Sequence, residues 1–349
     1  MKKGIYIVII TLFFLVSIEL MITKVLHTKS TGIYCTFCYA IKKINLKRFE
    51  NKRIEVTYLP GYMYVPDDYL GYSSIPGEYY ISLKDKILNK SHNFHVNIGK
   101  DGHRITSYVT KRGGFDNEIW IFGDSSTKGW GNNNETSFPF FLQNFLSTDR
   151  VINYAENGYG NLHQYLQLKK EISAEESIPG IIVIVYADYF NVRNVAAPSF
   201  LKGFWYDAEL FKDRDPSKFL YPKASIVENE LQIDYINLFC EFNKICNDAD
   251  PGKNYQYKVT KHILSKIYEI GNQSGSKMIL AYLSGNDNDE ILNYSKTMGY
   301  IISDMRPEKN KNEWDGFSPY DDYHPGPLAQ NHYALKLYET IKSIKASSD

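Results

Sequence analysis

The sequence predicts an α/β protein: a three-layer α/β/α sandwich around a mostly parallel sheet, preceded by an N-terminal transmembrane helix. Three observations predict it. From about residue 115 onward, short and nearly continuous apolar runs alternate with segments of helical period, the pattern of a parallel sheet covered on both faces. No repeat of fixed period and no low-complexity linker divides that stretch. At the other end, MKK is followed by an apolar run from Gly4 to Ile22, broken by Ser17 and Glu19.

That run comes close to the roughly 20 residues a helix needs to cross a bilayer. Lys2 and Lys3 precede it, so the positive-inside rule places the rest of the chain outside the cytoplasm, periplasmic or on the cell surface. TKVLHTKS, which follows, has no A-x-A cleavage pattern, so the expectation is an uncleaved anchor at 4–22. Residues 25–112 are rich in Tyr and Lys, with turn signals between short β-prone runs, and read as a stem folding onto the main domain. Within it, Phe94–Thr106 alternates and turns at Lys100-Asp101-Gly102, a hairpin signal.

The main domain is expected over 115–345. Strands are read at 118–123, 151–155, 181–187, 277–283 and 299–304, and helices at 136–146, 161–172, 258–274 and 327–344. Residues 198–255 break the alternation as a long aromatic-rich insertion, either shaping a substrate cleft or decorating the periphery.

The 349 residues carry 40 basic and 40 acidic side chains, which cancel, and no Lys/Arg run forms a phosphate-tracking stripe; nucleic acid is excluded as the expected partner. The 43% hydrophobic content suffices for a sizeable core, and the 29 Tyr and 19 Phe suit strands and core, with a carbohydrate-facing surface as the alternative. Of four cysteines, Cys35 and Cys38 form one C-x-x-C without the second pair a zinc site needs. Cys240 and Cys246 lie six apart in a predicted helix and are able to pair in an oxidising compartment.

In a parallel sheet the carboxyl ends of all strands face one edge, so reactive side chains just beyond them converge although distant in sequence. Ser125 follows the first strand in IWIFGDSSTKGWG, and His324 lies in SPYDDYHPGPLAQNH, between the last strand and the last helix. Asp321, three residues before His324, is placed to bend back and hold its imidazole; Asp322 is the competing carboxylate. Asp124 is expected to hydrogen-bond its own loop.

On these motifs the stretch from about 117 to 345 resembles the SGNH, or GDSL-type, serine hydrolases, whose sheet is flavodoxin-like. FGDSSTKGWG resembles their first block, which implies Ser125 as nucleophile and its backbone N–H as one oxyanion donor. VINYAENGYGNLHQ resembles the second, where Asn153, Ala155 and Gly158 stand for Asn-x-Gly-x-x-Gly and Gly158 supplies a second N–H. SPYDDYHPG resembles the fifth, giving Asp321 and His324. The third block departs: where the family has Gly-x-Asn-Asp, this chain has Ala187-Asp188, followed by Asn191 and Asn194. Asn194 is taken as the third oxyanion donor. A missing donor costs about 100- to 1000-fold in turnover.

The resemblance implies a serine esterase acting through an acyl-serine on a small ester or an acylated envelope or surface glycan, with no metal or organic cofactor. An O-acyltransferase or a lipid-ester hydrolase with the same triad remains open, the latter with SFLKGFWYDAELF as an apolar lid, and so does a catalytically degenerate glycan- or partner-binding module.

Overall fold

The computed structural model describes residues 54–87, 89–109, 114–174, 178–205, 218–237, 249–286, 289–307 and 324–347. The expected anchor at 4–22, all four cysteines and both Asp321 and Asp322 lie outside them. Among the described residues no helix is long and apolar enough to cross a membrane.

Chain order begins with β1 (Ile54–Leu59), β2 (Tyr64–Asp67), β3 (Gly71–Ser74), β4 (Gly77–Asp85) and β5 (Lys90–Ile98). β1, β4 and β5 form an antiparallel sheet in the order β1-β4-β5, and β2 and β3 form a separate ribbon. Strict alternation sets the register of β4: Tyr79, Ile81, Leu83 and Asp85 point inward, and a slip by one residue would turn all of them to solvent. After β5 the chain reverses as the hairpin signal predicts, with the Gly99 N–H donating to His103 O at 2.7 Å. Arg104 then forms isolated bridges to Ile98 on one side and Asn153 on the other, so its backbone joins the antiparallel sheet to the parallel one. The described residues fall within one compact unit.

The parallel sheet comprises β6 (Asn117–Phe122), β7 (Asp149–Asn153), β8 (Ile181–Ala187), β11 (Lys277–Ser284) and β12 (Ile301–Asp304), in the order β12-β11-β8-β6-β7. All of its pairings are parallel. Its helices are α1 (Ser125–Lys128), α2 (Phe138–Phe145), α3 (Asn161–Ser173), α4 (Phe190–Asn194), α5 (Pro198–Trp205), α6 (Lys253–Gln273), α7 (Glu290–Met298) and α8 (Pro327–Ala346). Central β8 shows why the sequence has a continuous apolar run there: all seven residues are buried. Ile182, Ile184 and Tyr186 enter one core with Leu162, Leu166, Ile263 and Ile267 of α3 and α6. Ile181, Val183 and Val185 enter the other with Phe138, Leu142, Leu337 and Ile341 of α2 and α8. Each such buried aliphatic or aromatic side chain contributes up to about 1.5–3 kcal/mol. Tyr64, Tyr72, Ile81, Phe94 and Val96 of the N-terminal strands belong to the first core, so that segment is packed into the same interior as the sheet.

Helix α7 and a hairpin in the insertion are among the features not read from the sequence. Helix α7 is short, but Asp289 caps it by accepting from the N–H groups of Ile291 and Leu292, and Gly299 (φ +101°) ends it, which delays the last strand to Ile301. The insertion contains a hairpin, β9 (Leu220–Val227) with β10 (Glu230–Asn237), turning at Glu228 and Asn229, both with positive φ. That is the type I′ geometry whose twist suits a two-residue connection.

With β6 between β7 and β8, the chain leaves β6 toward one edge and returns to the other, so the strand order reverses between β6 and β8. Ligand sites of open α/β sheets lie in the crevice outside that point, at the carboxyl ends of the strands.

Candidate active site

β6 runs out at Phe122, and the next three residues build the turn that presents Ser125. Gly123 is required by crowding: a Cβ there would lie 2.1 Å from Thr127 Oγ1. Asp124 is the N-cap of α1, its Oδ1 accepting the Ser126 N–H at 3.0 Å, as a loop-holding role requires. Gly129 in the left-handed conformation closes the turn, and the Gly129 and Trp130 N–H groups both donate to Ser125 O, at 3.0 and 2.8 Å.

Ser125 is 7% exposed, and its Oγ lies 2.8 Å from His324 Nε2. For Ser125 to donate, Nε2 must be the unprotonated nitrogen, which assigns the proton to Nδ1. His324 stands just before α8, and three contacts fix that entry. Asn132 Nδ2 donates to Pro325 O at 2.9 Å. Gln330 Nε2 donates to Ser126 O at 2.9 Å, and its Oε1 accepts the Phe138 N–H at 2.7 Å. Trp130 forms the aromatic wall beside the imidazole, with ring centres 6.5 Å apart, and is itself backed by Phe94 and Tyr58 at 5.2 and 6.2 Å.

The second-block loop runs alongside the Ser125 turn: the Tyr154 N–H donates to Ile121 O at 2.8 Å and the Glu156 N–H to Gly123 O at 3.3 Å. Gly158 has φ +78°, a conformation that glycine adopts without strain, and its carbonyl accepts the Tyr221 hydroxyl of β9 at 3.1 Å. The insertion thus reaches the candidate oxyanion loop. The loops that carry Ser125 and Gly158 are adjacent, joined by the backbone hydrogen bonds of Tyr154 and Glu156. Asp321 and its rival Asp322 fall outside the described residues.

The third block requires a correction. Asn194 is fully buried, donates Nδ2 to Thr260 Oγ1 of α6 at 2.9 Å and accepts the Leu162 N–H at 3.1 Å. It holds the start of α3 against α6, and its second amide hydrogen faces Asn161 Oδ1 at 3.5 Å, so both are taken up in the interior and Asn194 is not the third oxyanion donor. Asn191 donates to Tyr186 Oη and Asp188 O at 2.8 and 2.7 Å, and Asp188 accepts the Ser284 hydroxyl at 2.7 Å, tying β8 to β11.

Sequence reasoning missed the cations and the tyrosine that surround the turn. Tyr189 Oη donates to Asp124 Oδ2 at 3.0 Å. Arg193 Nη1 donates to the same oxygen at 2.9 Å and to Tyr159 O at 2.8 Å. Burial opposes the Arg193 charge, but Asp124 and the nearby tyrosines outweigh it and hold its pKa above the ordinary arginine value. Lys128 is buried against Glu156 in an ion pair, with its Nζ 2.6 Å from Ser74 Oγ and the Ser74 hydroxyl donating to Glu156 Oε2 at 2.5 Å. Desolvation lowers the Lys128 pKa against the pull of Glu156.

Arg104, 2% exposed, donates to the carbonyls of Lys128, Gly129 and Asn132 at 2.9, 2.7 and 2.6 Å and to Asn134 Oδ1 at 3.1 Å. It therefore satisfies the carbonyl end of α1 from the junction between the two sheets. Burial lowers its pKa to about 9, which leaves the guanidinium charged at neutral pH. Only a spatial reading finds Arg104, since nothing in GKDGHRIT marks it as a partner of residues 128–134.

A separate cleft of about 540 Å³ lies behind the second-block loop, among Trp120, Tyr154, Glu156, His103 and Gln167; neither Ser125 nor His324 lines it.

No family model matches the chain, and no curated protein matches it. Solved structures do resemble it. The esterase EstA from Pseudoalteromonas sp., in a form inhibited by monoethylphosphonate, is 14% identical with a TM-score of 0.39, covering 66% of this chain and 100% of that one. A member of the lipolytic G-D-S-L family from Veillonella parvula is 13% identical with a TM-score of 0.34, covering 64% and 98%. The acetylxylan esterase Axe2 from Geobacillus stearothermophilus is 11% identical with a TM-score of 0.39, covering 65% and 95%. With scores this low, the α/β assignment rests on the parallel order β12-β11-β8-β6-β7, and the site is defined by the 2.8 Å approach of Ser125 and His324 at the carboxyl edge of that sheet.

Proposed function

We propose that this protein is a serine-dependent ester hydrolase. The hydrogen bond from Ser125 Oγ to His324 Nε2 carries the reading, because a hydroxyl becomes an effective nucleophile at neutral pH when an oriented base takes its proton as it attacks. His324 removes the Ser125 proton, and Oγ adds to the ester carbonyl. The backbone N–H groups of Ser125 and Gly158 receive the developing oxyanion, an effect worth about 3–4 kcal/mol for each well-placed donor. His324 then gives its proton to the departing alkoxide, leaving an acyl-serine and a free alcohol. Water, deprotonated by His324, attacks the acyl-serine; collapse releases the carboxylic acid and restores Ser125. Asp321 is assigned to the third position of the triad, holding the imidazole proton at Nδ1.

The substrate class is short acyl esters, acetyl above all, on envelope or surface glycans. The anchor expected at 4–22 supports this assignment, because an anchored enzyme would work beside such polymers. Comparing p-nitrophenyl acetate with p-nitrophenyl palmitate on the full-length chain, in the wild type and in Ser125→Ala, tests the reading. Ser125-dependent turnover of the acetate is expected to dominate. A preference for the long chain would turn the assignment to lipid esters, and turnover unchanged in Ser125→Ala would overturn it.

A further inference from the structure

We propose that Arg193 is a positioning residue that sets the spacing of the two oxyanion donors, an inference that rests on the ester-hydrolase reading above. Its place in the chain is informative. It follows β8, in the segment where the resemblance leads one to expect an Asn side chain at the oxyanion, and Asn194 beside it is bonded to Thr260 and Leu162 instead.

A single nitrogen, Arg193 Nη1, donates to Asp124 Oδ2 at 2.9 Å and to Tyr159 O at 2.8 Å. Asp124 immediately precedes Ser125, and Tyr159 immediately follows Gly158. Each loop that carries a donor N–H is therefore gripped one residue away from it, by the same atom. The guanidinium cannot drift, because it lies over the rings of Tyr189, Phe190 and Phe200 at 4.6, 5.2 and 5.4 Å. Water competes little for the pair, since the Asp124 and Arg193 side chains are 1% and 15% exposed. Tyr189 Oη holds Asp124 Oδ2 from a second direction at 3.0 Å.

Loss of Arg193 removes the partner of a buried carboxylate and so lowers stability as well, and the catalytic effect is therefore read on folded variants. The two loops are also held together by the Glu156 N–H to Gly123 O bond and by the buried Lys128–Glu156 pair, so loss of Arg193 leaves them docked while freeing their relative position. A misplacement of about 1 Å at a reacting centre costs about 100-fold in rate, whereas ground-state binding of a small ester draws little on these groups.

The test uses the full-length chain carrying Arg193→Lys, Arg193→Met or Arg193→Ala, each checked for folding by thermal denaturation. It reads kcat and KM on p-nitrophenyl acetate together with the rate of Ser125 labelling by a fluorophosphonate. Arg193→Met is expected to lose about 100-fold in kcat and in labelling rate with KM within about threefold, and Arg193→Lys, which keeps a cation but not the rigid fork, to lose about tenfold. Added guanidinium ion should restore part of the activity of Arg193→Ala. Where Arg193→Met fails to fold, Arg193→Lys and the guanidinium response decide. Folded variants with wild-type kcat and labelling, or a rise in KM alone, would overturn the inference while the hydrolase reading stands. A wild-type protein that neither hydrolyses the ester nor reacts with the probe would overturn both.

Discussion

His324 Nε2 lies 2.8 Å from Ser125 Oγ although 199 positions separate the two residues, and both stand at the carboxyl edge of one parallel sheet. The approach is built into the scaffold: Gln330, one turn into α8, bonds to Ser126 O, while Asn132 bonds to Pro325 O. His324→Gln removes the base but keeps a side chain of similar reach. We predict a fall in kcat of at least about 10⁴-fold on p-nitrophenyl acetate, because nucleophile and base act as one unit, with a thermal midpoint close to wild type. A fall of less than tenfold would mean that His324 is not the base.

The proposed third member of the triad is Asp321, three residues before His324, with Asp322 as its rival. Asp321→Asn is expected to lower kcat by about 10⁴-fold, the cost of the wrong imidazole tautomer, and Asp322→Asn by less than about tenfold. Steady-state kinetics on the two variants settle the choice, and the reverse ranking would move the third position to Asp322.

Arg104 is the covalent neighbour of neither loop of the site, yet its four hydrogen bonds tie the carbonyl end of α1, at Lys128 and Gly129, to the loop that follows, at Asn132 and Asn134. Arg104→Met leaves three backbone carbonyls and Asn134 Oδ1 without this donor. With each buried unsatisfied group costing about 1–3 kcal/mol, the predicted loss of stability is at least about 3 kcal/mol, read from urea unfolding. A loss under 1 kcal/mol would show that water or another side chain replaces the guanidinium.

His163 predicts a pH dependence of stability. It is fully buried, stacked on Tyr159 at 4.0 Å, and Nδ1 accepts the Gly160 N–H at 3.3 Å. Burial, aided by Arg193, holds its pKa well below the ordinary histidine value. Folded protein therefore keeps the ring neutral at pH values where the unfolded chain binds a proton. The stability it contributes is fully present above about pH 6.5 and is lost as pH falls below that, by about 1.4 kcal/mol at pH 5.5 for one such group. In urea titrations His163→Phe should flatten the slope of stability against pH between 7 and 5.5. An unchanged slope would contradict the assignment.

Much of this could be read from residues alone, for identifiable reasons. The parallel strands were legible because β8, buried on both faces, has no polar position, and the turn at Ser125 because Gly-Asp-Ser follows directly on an apolar strand. The β9–β10 hairpin was not legible, because Glu228-Asn229 is not one of the dipeptides that announce a type I′ turn. Helix α7 was missed because nine residues give too few turns for a clear period. Asn194 was misplaced because position in a loop does not reveal which way an amide points; Thr260, which receives it, is on a helix 66 residues away. Arg104, Lys128 and Arg193 were invisible for the same reason: a buried cation is defined by acceptors that only the fold assembles around it.

The central claim is that Ser125 is an activated nucleophile, and covalent labelling tests it most directly. Full-length protein treated with a fluorophosphonate and digested for mass spectrometry should carry the adduct on the peptide containing Ser125, with labelling abolished in Ser125→Ala and strongly slowed in His324→Gln. Folded wild-type protein with no adduct at Ser125, or with equal labelling in Ser125→Ala, would contradict it.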